Sequence, residues 1–147
     1  MYLKNNDNDY CLLNRGIAHY RLNHYKRALK DFQKVVSENK KFDSYLSLVF
    51  DYLASVLLRF NQKAEALKYL NLACRSSSPS IQSLYNRATL LVELKEYKKA
   101  VKDLNRAIRT VPTEPLFFEL RGNILVNHLN QTKKGLRDLK ISEELNY

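Results

Sequence analysis

The sequence predicts an all-α fold of four antiparallel helix pairs, and three observations support this prediction. Gly and Pro contribute only three residues each to a chain of 147, too few for a many-turned β-sandwich or a glycine-rich nucleotide loop. Apolar residues make up 45% of the chain, which is enough for a proper core in one domain of this length. An internal repeat of 34 to 38 residues runs through the sequence.

Two columns of small residues define the repeat. The first column consists of Gly16, Ala54, Ala88 and Gly122. The second column consists of Ala28, Ala66, Ala100 and Gly135, and follows the first after 12, 12, 12 and 13 residues. Because two helices can approach closely only where side chains are small, the columns predict the crossing points of four helical hairpins.

Turn-forming residues separate eight predicted helices. The turns inside the hairpins are predicted at Asn23-His24, Asn61-Gln62, Lys95-Glu96 and Asn130-Gln131, and the breaks between hairpins at 39–42, 76–80 and 112–115. The predicted helices cover residues 10–22, 25–38, 43–60, 63–76, 80–94, 97–110, 115–129 and 132–146. Residues 1–9 are predicted to form a polar N-terminal tail. A single domain over 10–147 then contains repeats at approximately 10–42, 47–80, 81–114 and 115–147.

The second helix of each pair carries a stripe of residues spaced i, i+4 and i+7, which places them on one helix face. After each small residue of the second column, the stripe continues with Phe32 and Val35, Leu70 and Ala73, Leu104 and Ala107, and Leu139 and Ser142. The stripe is therefore predicted to pack against the neighbouring unit.

The third repeat resembles the tetratricopeptide repeat (TPR) motif. The large, small, aromatic and helix-ending positions of that motif hold Leu84, Ala88, Leu91, Tyr97, Ala100, Leu104, Ala107 and Pro112. The first repeat is similar, with Leu12, Gly16, Tyr20, Tyr25, Ala28 and Phe32, but has Lys40 in place of the closing proline. The second repeat has Lys63 instead of the aromatic residue, and the fourth has one extra turn residue. The resemblance covers about residues 10–146 and implies a right-handed α-solenoid.

In the TPR family the first helices line a concave groove, so the resemblance implies a scaffold or adaptor that binds a protein or peptide there. The candidate groove residues are Tyr10, Leu13, Ile17, Arg21, Asp51, Ser55, Arg59, Gln82, Tyr85, Thr89, Glu93, Glu119, Asn123 and Asn127. The groove is predicted to be nearly neutral, with apolar anchors toward its N-terminal end and amides or carboxylates toward its C-terminal end. The Lys, Asn and Arg set that clamps heat-shock-protein tails in some TPR proteins is absent from the matching positions, which argues against that partner.

The positive charge is concentrated on the second helices. The formal net charge is +10: residues 24–41, 61–76, 95–111 and 131–147 together carry +11, and the rest of the chain carries −1. The basic outer face is predicted to include Lys26, Arg27, Lys30, Lys34, Lys98, Lys99, Lys102, Arg106 and Arg109. One interpretation is a solvated surface that keeps the protein soluble. The alternative is an acidic partner, such as RNA or an anionic surface; nucleic acid is less favoured, because most aromatic residues occupy repeat columns.

The sequence offers no catalytic set, cofactor motif or metal-ligand spacing. His19, His24 and His128 are the only histidines, and none accompanies a motif that would make it a base or a ligand. We therefore predict no enzymatic activity, no cofactor, no metal and no small-molecule substrate. Cys11 and Cys74 cannot form a disulfide framework, and both are predicted to be packed thiols. Neither a signal peptide nor a transmembrane segment is evident, and these observations together predict a reducing, cytoplasmic location.

Two further features allow alternatives. Arg15, Arg87 and Arg121 each precede a small residue of the first column, and are predicted to bond carbonyls or a carboxylate where units meet, with a ligand-binding ladder as the alternative. The last helix carries Leu136, Leu139, Ile141, Leu145 and Tyr147 with no further helix to cover them. Self-association, a longer repeat array or an architectural role in a larger assembly would each cover this face.

Overall fold

A computed structural model describes residues 4–39, 44–75 and 79–147. Within those ranges the regular structure is eight α-helices, with no strand. They are α1 (Lys4–Arg21), α2 (Tyr25–Glu38), α3 (Ser44–Arg59), α4 (Lys63–Cys74), α5 (Ile81–Glu93), α6 (Tyr97–Thr110), α7 (Pro115–Asn127) and α8 (Thr132–Leu145). The predicted all-α class and the order of helices are confirmed.

The chain divides into two compact units, Met1–Pro79 and Ser80–Tyr147. Each unit contains two antiparallel hairpins: α1–α2 and α3–α4 in the first, α5–α6 and α7–α8 in the second. Within a unit, the second helix of one hairpin packs against the first helix of the next, α2 on α3 and α6 on α7. The stripe predicted to face the neighbouring hairpin is buried in α2 and α6, where Phe32, Val35, Leu104 and Ala107 are inaccessible to solvent.

All four predicted hairpin turns are confirmed by their backbone geometry. Each turn places one residue in the left-handed region: Asn23 (φ 61°), Asn61 (58°), Lys95 (61°) and Asn130 (52°). In the first three turns, the N–H of the following residue donates to a carbonyl five residues earlier, as His24 does to His19 at 2.8 Å. This arrangement satisfies carbonyls that the helix end would otherwise leave without a donor.

The hairpins cross where the small residues were predicted. Gly16 leaves no room for a side chain, because a Cβ there would lie 2.6 Å from Cε1 of Phe32. Helices α7 and α8 approach more closely still, since a Cβ on Gly135 would lie 2.7 Å from the carbonyl oxygen of Gly122. The glycines are therefore required by close approach between helices, as the columns predicted.

Helix α1 begins at Lys4, six residues before the predicted start, so Lys4–Asp9 of the predicted tail is helical. The Asn/Asp-rich segment has weak helix propensity, but Asp9 is buried and its carboxylate accepts a hydrogen bond from the Asn39 side chain at 3.0 Å. Other helix ends lie within two residues of their predicted positions. Residues 1–3, 40–43 and 76–78, which include most of the first two predicted breaks, lie outside the described residues.

Candidate functional site

The first helices of unit 1, α1 and α3, present an exposed face with apolar and cationic side chains. Tyr10 is 53% exposed, and its ring lies 5.3 Å from that of Tyr45. Burial, with further contributions from the neighbouring Asp9 and Tyr10, raises the pKa of Tyr45 to about 12, so its phenol stays protonated. Ile17 is half-buried against the core, and Arg21 is exposed at the end of α1.

Two of the predicted groove residues lie in the interior instead. Leu13 is only 4% exposed and belongs to the core of unit 1 with Leu53 and Val49. Asp51 is 8% exposed. The physical reason is that α3 packs against α1, α2 and α4. These neighbours bury a wider part of the first helices than the 3.6-residue period of a single helix predicts.

The remaining predicted residues of α3 are accessible. Ser55 is half-buried and its hydroxyl donates to the Asp51 carbonyl at 2.9 Å. The exposed Arg59 guanidinium lies 5.6 Å from the centre of the Tyr25 ring, a cation–π arrangement that holds the side chain over the turn between α1 and α2. The α1–α3 face therefore combines Tyr10 and Ile17 with two exposed cations.

The first helices of unit 2, α5 and α7, present a polar face. Along α5, Gln82 donates to the Asn86 side chain at 2.8 Å, and the Thr89 hydroxyl donates to the Tyr85 carbonyl at 3.0 Å. Tyr85 is half-buried, with its ring 5.7 Å from that of Phe117. The remaining predicted residues of this face, Glu93, Glu119, Asn123 and Asn127, are exposed. Their role in binding stays a prediction.

Two exposed leucines on these faces are not among the residues predicted from the sequence. Leu48 of α3 is 46% exposed and Leu116 of α7 is 49% exposed. Both stand six residues before the small residue of their first helix, the position that Tyr10 occupies in α1 and Gln82 in α5. This shared repeat position could have predicted that Leu48 and Leu116 are exposed on the first helices.

Three arginine–aspartate pairs join the two helices of a hairpin. The guanidinium groups of Arg15, Arg87 and Arg121 each donate two hydrogen bonds of 2.7–2.8 Å to one carboxylate, on Asp31, Asp103 and Asp138 respectively. The prediction that these arginines bond a carboxylate is confirmed. The bonds to aspartate lie within hairpins, and Arg121 also reaches the preceding hairpin, where its guanidinium donates to the Asn105 side chain at 2.7 Å.

The carboxylates of these pairs are buried, so their negative charge lies inside the hairpins and not on the exposed surface of the second helices. Hydrogen bonds from Arg15 lower the pKa of the Asp31 carboxyl, although burial acts in the opposite direction. The second repeat replaces the pair with apolar packing, since Leu53 and Tyr69 stand at the equivalent positions and Leu53 is inaccessible. The aspartates therefore neutralise first-helix arginines and do not offset lysines on the second helices.

The predicted basic outer face is accessible to solvent. Eight of its nine residues are exposed, and Arg106 is half-buried. The ion pairs seen on this face are weak contacts along one helix, Lys34 to Glu38 at 3.8 Å and Lys99 to Glu96 at 3.2 Å. The face keeps most of the positive charge that the sequence assigned to it.

Two models of the tetratricopeptide repeat match the chain, one over residues 9–42 and one over residues 81–112. These segments contain the α1–α2 hairpin except its first residues, and the α5–α6 hairpin. The chain belongs to the tetratricopeptide repeat family. Among curated proteins, none matches the sequence.

Solved TPR structures resemble the whole chain. A TPR protein from Parabacteroides merdae ATCC 43184 superposes with a TM-score of 0.84 and 20% identity, over 95% of this chain and 54% of that one. The crystal structure of MamA gives a TM-score of 0.83 and 17% identity, over 98% and 82%. YrrB, described as a TPR protein with an unusual peptide-binding site, gives 0.76 and 18%, over 88% and 64%. At these identities the similarity establishes the fold.

The last helix of this TPR protein has a mixed outer face. Leu136 is 55% exposed, whereas Leu29, Leu67 and Val101, at the equivalent position of the other repeats, are half-buried. Leu145 and Tyr147 are also exposed, but Leu139 and Ile141 are half-buried. Glu143 replaces the apolar residue that α6 has at Ile108. Self-association through this helix stays a prediction.

The cysteines, the possible metal ligands and the helix lengths of this TPR protein can be compared with the remaining predictions. Cys74 is buried, but Cys11 is exposed on α1, so the expectation that both thiols are packed is wrong for Cys11. Among the described residues, no group of His, Cys, Asp or Glu side chains is arranged to hold a metal ion. None of the helices described is long and apolar enough to cross a membrane.

Proposed function

We propose that this TPR protein is a non-catalytic, cytoplasmic scaffold that binds protein segments on its first-helix faces, α1–α3 in unit 1 and α5–α7 in unit 2. The distribution of exposed apolar side chains carries the proposal. Of the nine large apolar residues exposed in the described ranges, three (Leu22, Phe60 and Leu94) lie at hairpin turns and three on or after α8. The other three, Tyr10, Leu48 and Leu116, share one repeat position, six residues before the small residue of their first helix.

The α1–α3 face suits a segment with an apolar side chain next to an acidic one. Tyr10 and Leu48 can cover an aromatic or aliphatic side chain, because both are about half exposed and such anchors dominate binding energy when desolvated. Arg21 and Arg59 supply exposed positive charge at the other end of the same helices. A carboxylate placed there would gain charge-assisted hydrogen bonds.

The α5–α7 face suits an extended segment with basic or polar side chains. Asn123, Asn127 and Gln82 expose amides that both donate and accept, which matches the alternating groups of a peptide backbone. Glu93 and Glu119 make the face acidic once Arg87 and Arg121 are neutralised by their aspartates. The description of YrrB as having a peptide-binding site supports a peptide-binding use of the same fold.

Selection of peptides from a random display library tests the proposal directly. Peptides that bind the wild type should lose at least about tenfold in affinity to Leu48→Ala or Leu116→Ala, because each change removes an apolar anchor. Leu94→Ala is the matched control, since this exposed leucine lies at a hairpin turn. Selected peptides that lose equal affinity to the control, or that shift amide resonances only on the second helices, would contradict the proposal.

Self-association is a second candidate, favoured by the exposure of Leu136. If α8 packs against another copy, light scattering should show a mass above that of a monomer, and Leu136→Lys should return it to the monomer value. A monomer at all accessible concentrations would exclude this candidate and leave the peptide-binding proposal intact.

A further inference from the structure

We propose that α6 and α8 form a second binding surface, which takes the phosphate backbone of double-stranded nucleic acid. This surface lies on the second helices of unit 2 and is separate from the first-helix faces. It does not depend on the proposed peptide binding. The recognition is electrostatic and independent of base sequence.

A recurring cationic pattern carries the proposal. In three of the four repeats, a Lys or Arg occupies each of three positions near the small residue of the second helix. These positions are two residues before it, one residue before it and two residues after it. These residues are Lys26, Arg27 and Lys30 in α2, Lys98, Lys99 and Lys102 in α6, and Lys133, Lys134 and Arg137 in α8. All nine are exposed. On α6 the row continues through Arg109, which gives a line of cations about 16 Å long on one side of the helix.

Two aspartates within these basic runs do not cancel the charge of the row, because the structure turns both of them inward. Asp103 and Asp138 interrupt the basic runs in sequence, but both are buried and are neutralised by Arg87 and Arg121 from the first helices. Glu93 and Glu119 lie on the α5–α7 face, whereas Glu96 beside α6 and Glu143 and Glu144 at the end of α8 leave net positive charge on α6 and on the start of α8. A polyanion is therefore attracted to α6 and α8 and repelled from the opposite helices.

The surroundings of the row favour a duplex over other polyanions. The apolar side of α6, including Ala100, Leu104 and Ala107, is fully buried, so the helix has no apolar face to insert into a bilayer. Tyr97, the aromatic residue of α6, is half-buried with its ring 4.0 Å from that of His128, and α8 contains no aromatic residue. Because neither α6 nor α8 exposes an aromatic ring for stacking, a single strand gains little along them, whereas a duplex offers a dense, regular row of phosphates.

Fluorescence anisotropy with a labelled DNA duplex of about 20 base pairs, titrated at several salt concentrations, tests the proposal. Wild-type affinity should fall steeply with salt, and the triple variant Lys98→Gln/Lys99→Gln/Lys102→Gln should bind at least about tenfold more weakly. Its slope of log affinity against log salt should be shallower by about 2.7, the value for three lost phosphate contacts. The variant Lys133→Gln/Lys134→Gln/Arg137→Gln should behave alike, which keeps the test valid if one variant folds poorly.

The matched control is Lys34→Gln/Lys68→Gln/Arg75→Gln, which removes the same number of charges from exposed positions outside α6, α8 and the first-helix faces. It should keep wild-type affinity and slope. An equal loss in the control would show that only net charge matters and would overturn the surface assignment. Absence of wild-type binding at low salt, or tighter binding to the single strand or to phosphatidylserine vesicles than to the duplex, would overturn the proposed partner.

Discussion

The packing of Gly16 against Phe32 makes a sharp prediction about helix crossing. In Gly16→Ala, the new methyl group would lie 2.6 Å from Cε1, 2.9 Å from Cδ1 and 3.1 Å from Cζ of the Phe32 ring. The ring cannot withdraw easily, because it is fully buried and stacked on Tyr52 with centroids 5.3 Å apart. The crossing in this hairpin therefore requires glycine on one helix because the other carries phenylalanine.

The change in unfolding free energy for Gly16→Ala is the balance of two opposing effects. Carbon atoms in optimal contact are about 3.5–4.0 Å apart, so the methyl overlaps the ring by about 1 Å, and overpacking of this kind costs about 1–3 kcal/mol. Replacing glycine by alanine inside a helix returns about 1 kcal/mol. The net loss of unfolding free energy for Gly16→Ala should therefore be up to about 2 kcal/mol. In a Phe32→Leu background the same change should gain about 0.5–1 kcal/mol, because only the propensity effect remains.

A double-mutant cycle measured by urea unfolding, with circular dichroism as the signal, provides the assay. The coupling between the two sites should be about 2 kcal/mol. The second and third repeats already contain the compatible pairs, Ala54 with Leu70 and Ala88 with Leu104. If Gly16→Ala stabilises the wild type, or destabilises both backgrounds equally, steric exclusion by Phe32 is not the reason for the glycine.

Three further changes have defined outcomes. Gly135→Ala should lower the unfolding free energy by about 2 kcal/mol in the same assay, because the clash at 2.7 Å is with a backbone carbonyl that cannot move aside, so an overpacking cost of about 3 kcal/mol outweighs the roughly 1 kcal/mol of helix propensity that alanine returns; an unchanged midpoint would contradict this. Lys95→Asn should raise the unfolding free energy by about 0.5–1 kcal/mol, since asparagine tolerates the left-handed backbone better than lysine, while Lys98→Asn within a helix should lower it. Hydrogen bonds from Arg15 lower the folded-state pKa of Asp31, so the pair stabilises the fold fully above about pH 4 and less as pH falls through that lowered pKa. The melting temperature of the wild type should therefore fall more steeply in acid than that of Asp31→Asn, and parallel curves would contradict the pairing.

The features that sequence predicted well are those fixed by local pattern. Asn23, Asn61 and Asn130 mark turns because asparagine accepts the left-handed backbone, and Lys95 was found only because the repeat placed it at the same position. The small columns located the helix crossings for a similar reason, since close approach depends on residue size alone. The family resemblance followed from these two periodic signals.

The features that sequence missed depend on contacts between helices. Asp31 was counted as part of the outer charge, because nothing in a single helix shows that a carboxylate turns inward to an arginine 16 residues away. Leu13 was assigned to the groove from helix period, but the packing of α3 on α1 buries it. Asp9, in the part of α1 that sequence places in a tail, likewise contacts a distant residue, Asn39, 30 residues along the chain.

In the fourth hairpin, a longer turn leaves the register between the two helices unchanged. The turn before α8 has one more residue than the others, yet Arg121 meets Asp138 with the same two-bond geometry that Arg87 shows with Asp103. The Gln131 N–H donates to a carbonyl six residues earlier, at 2.9 Å, and this longer loop takes up the extra residue without sliding one helix along the other. Hairpin turns in this chain can therefore vary in length during evolution, or accept a short inserted tag, while the pairing that aligns the two helices is preserved.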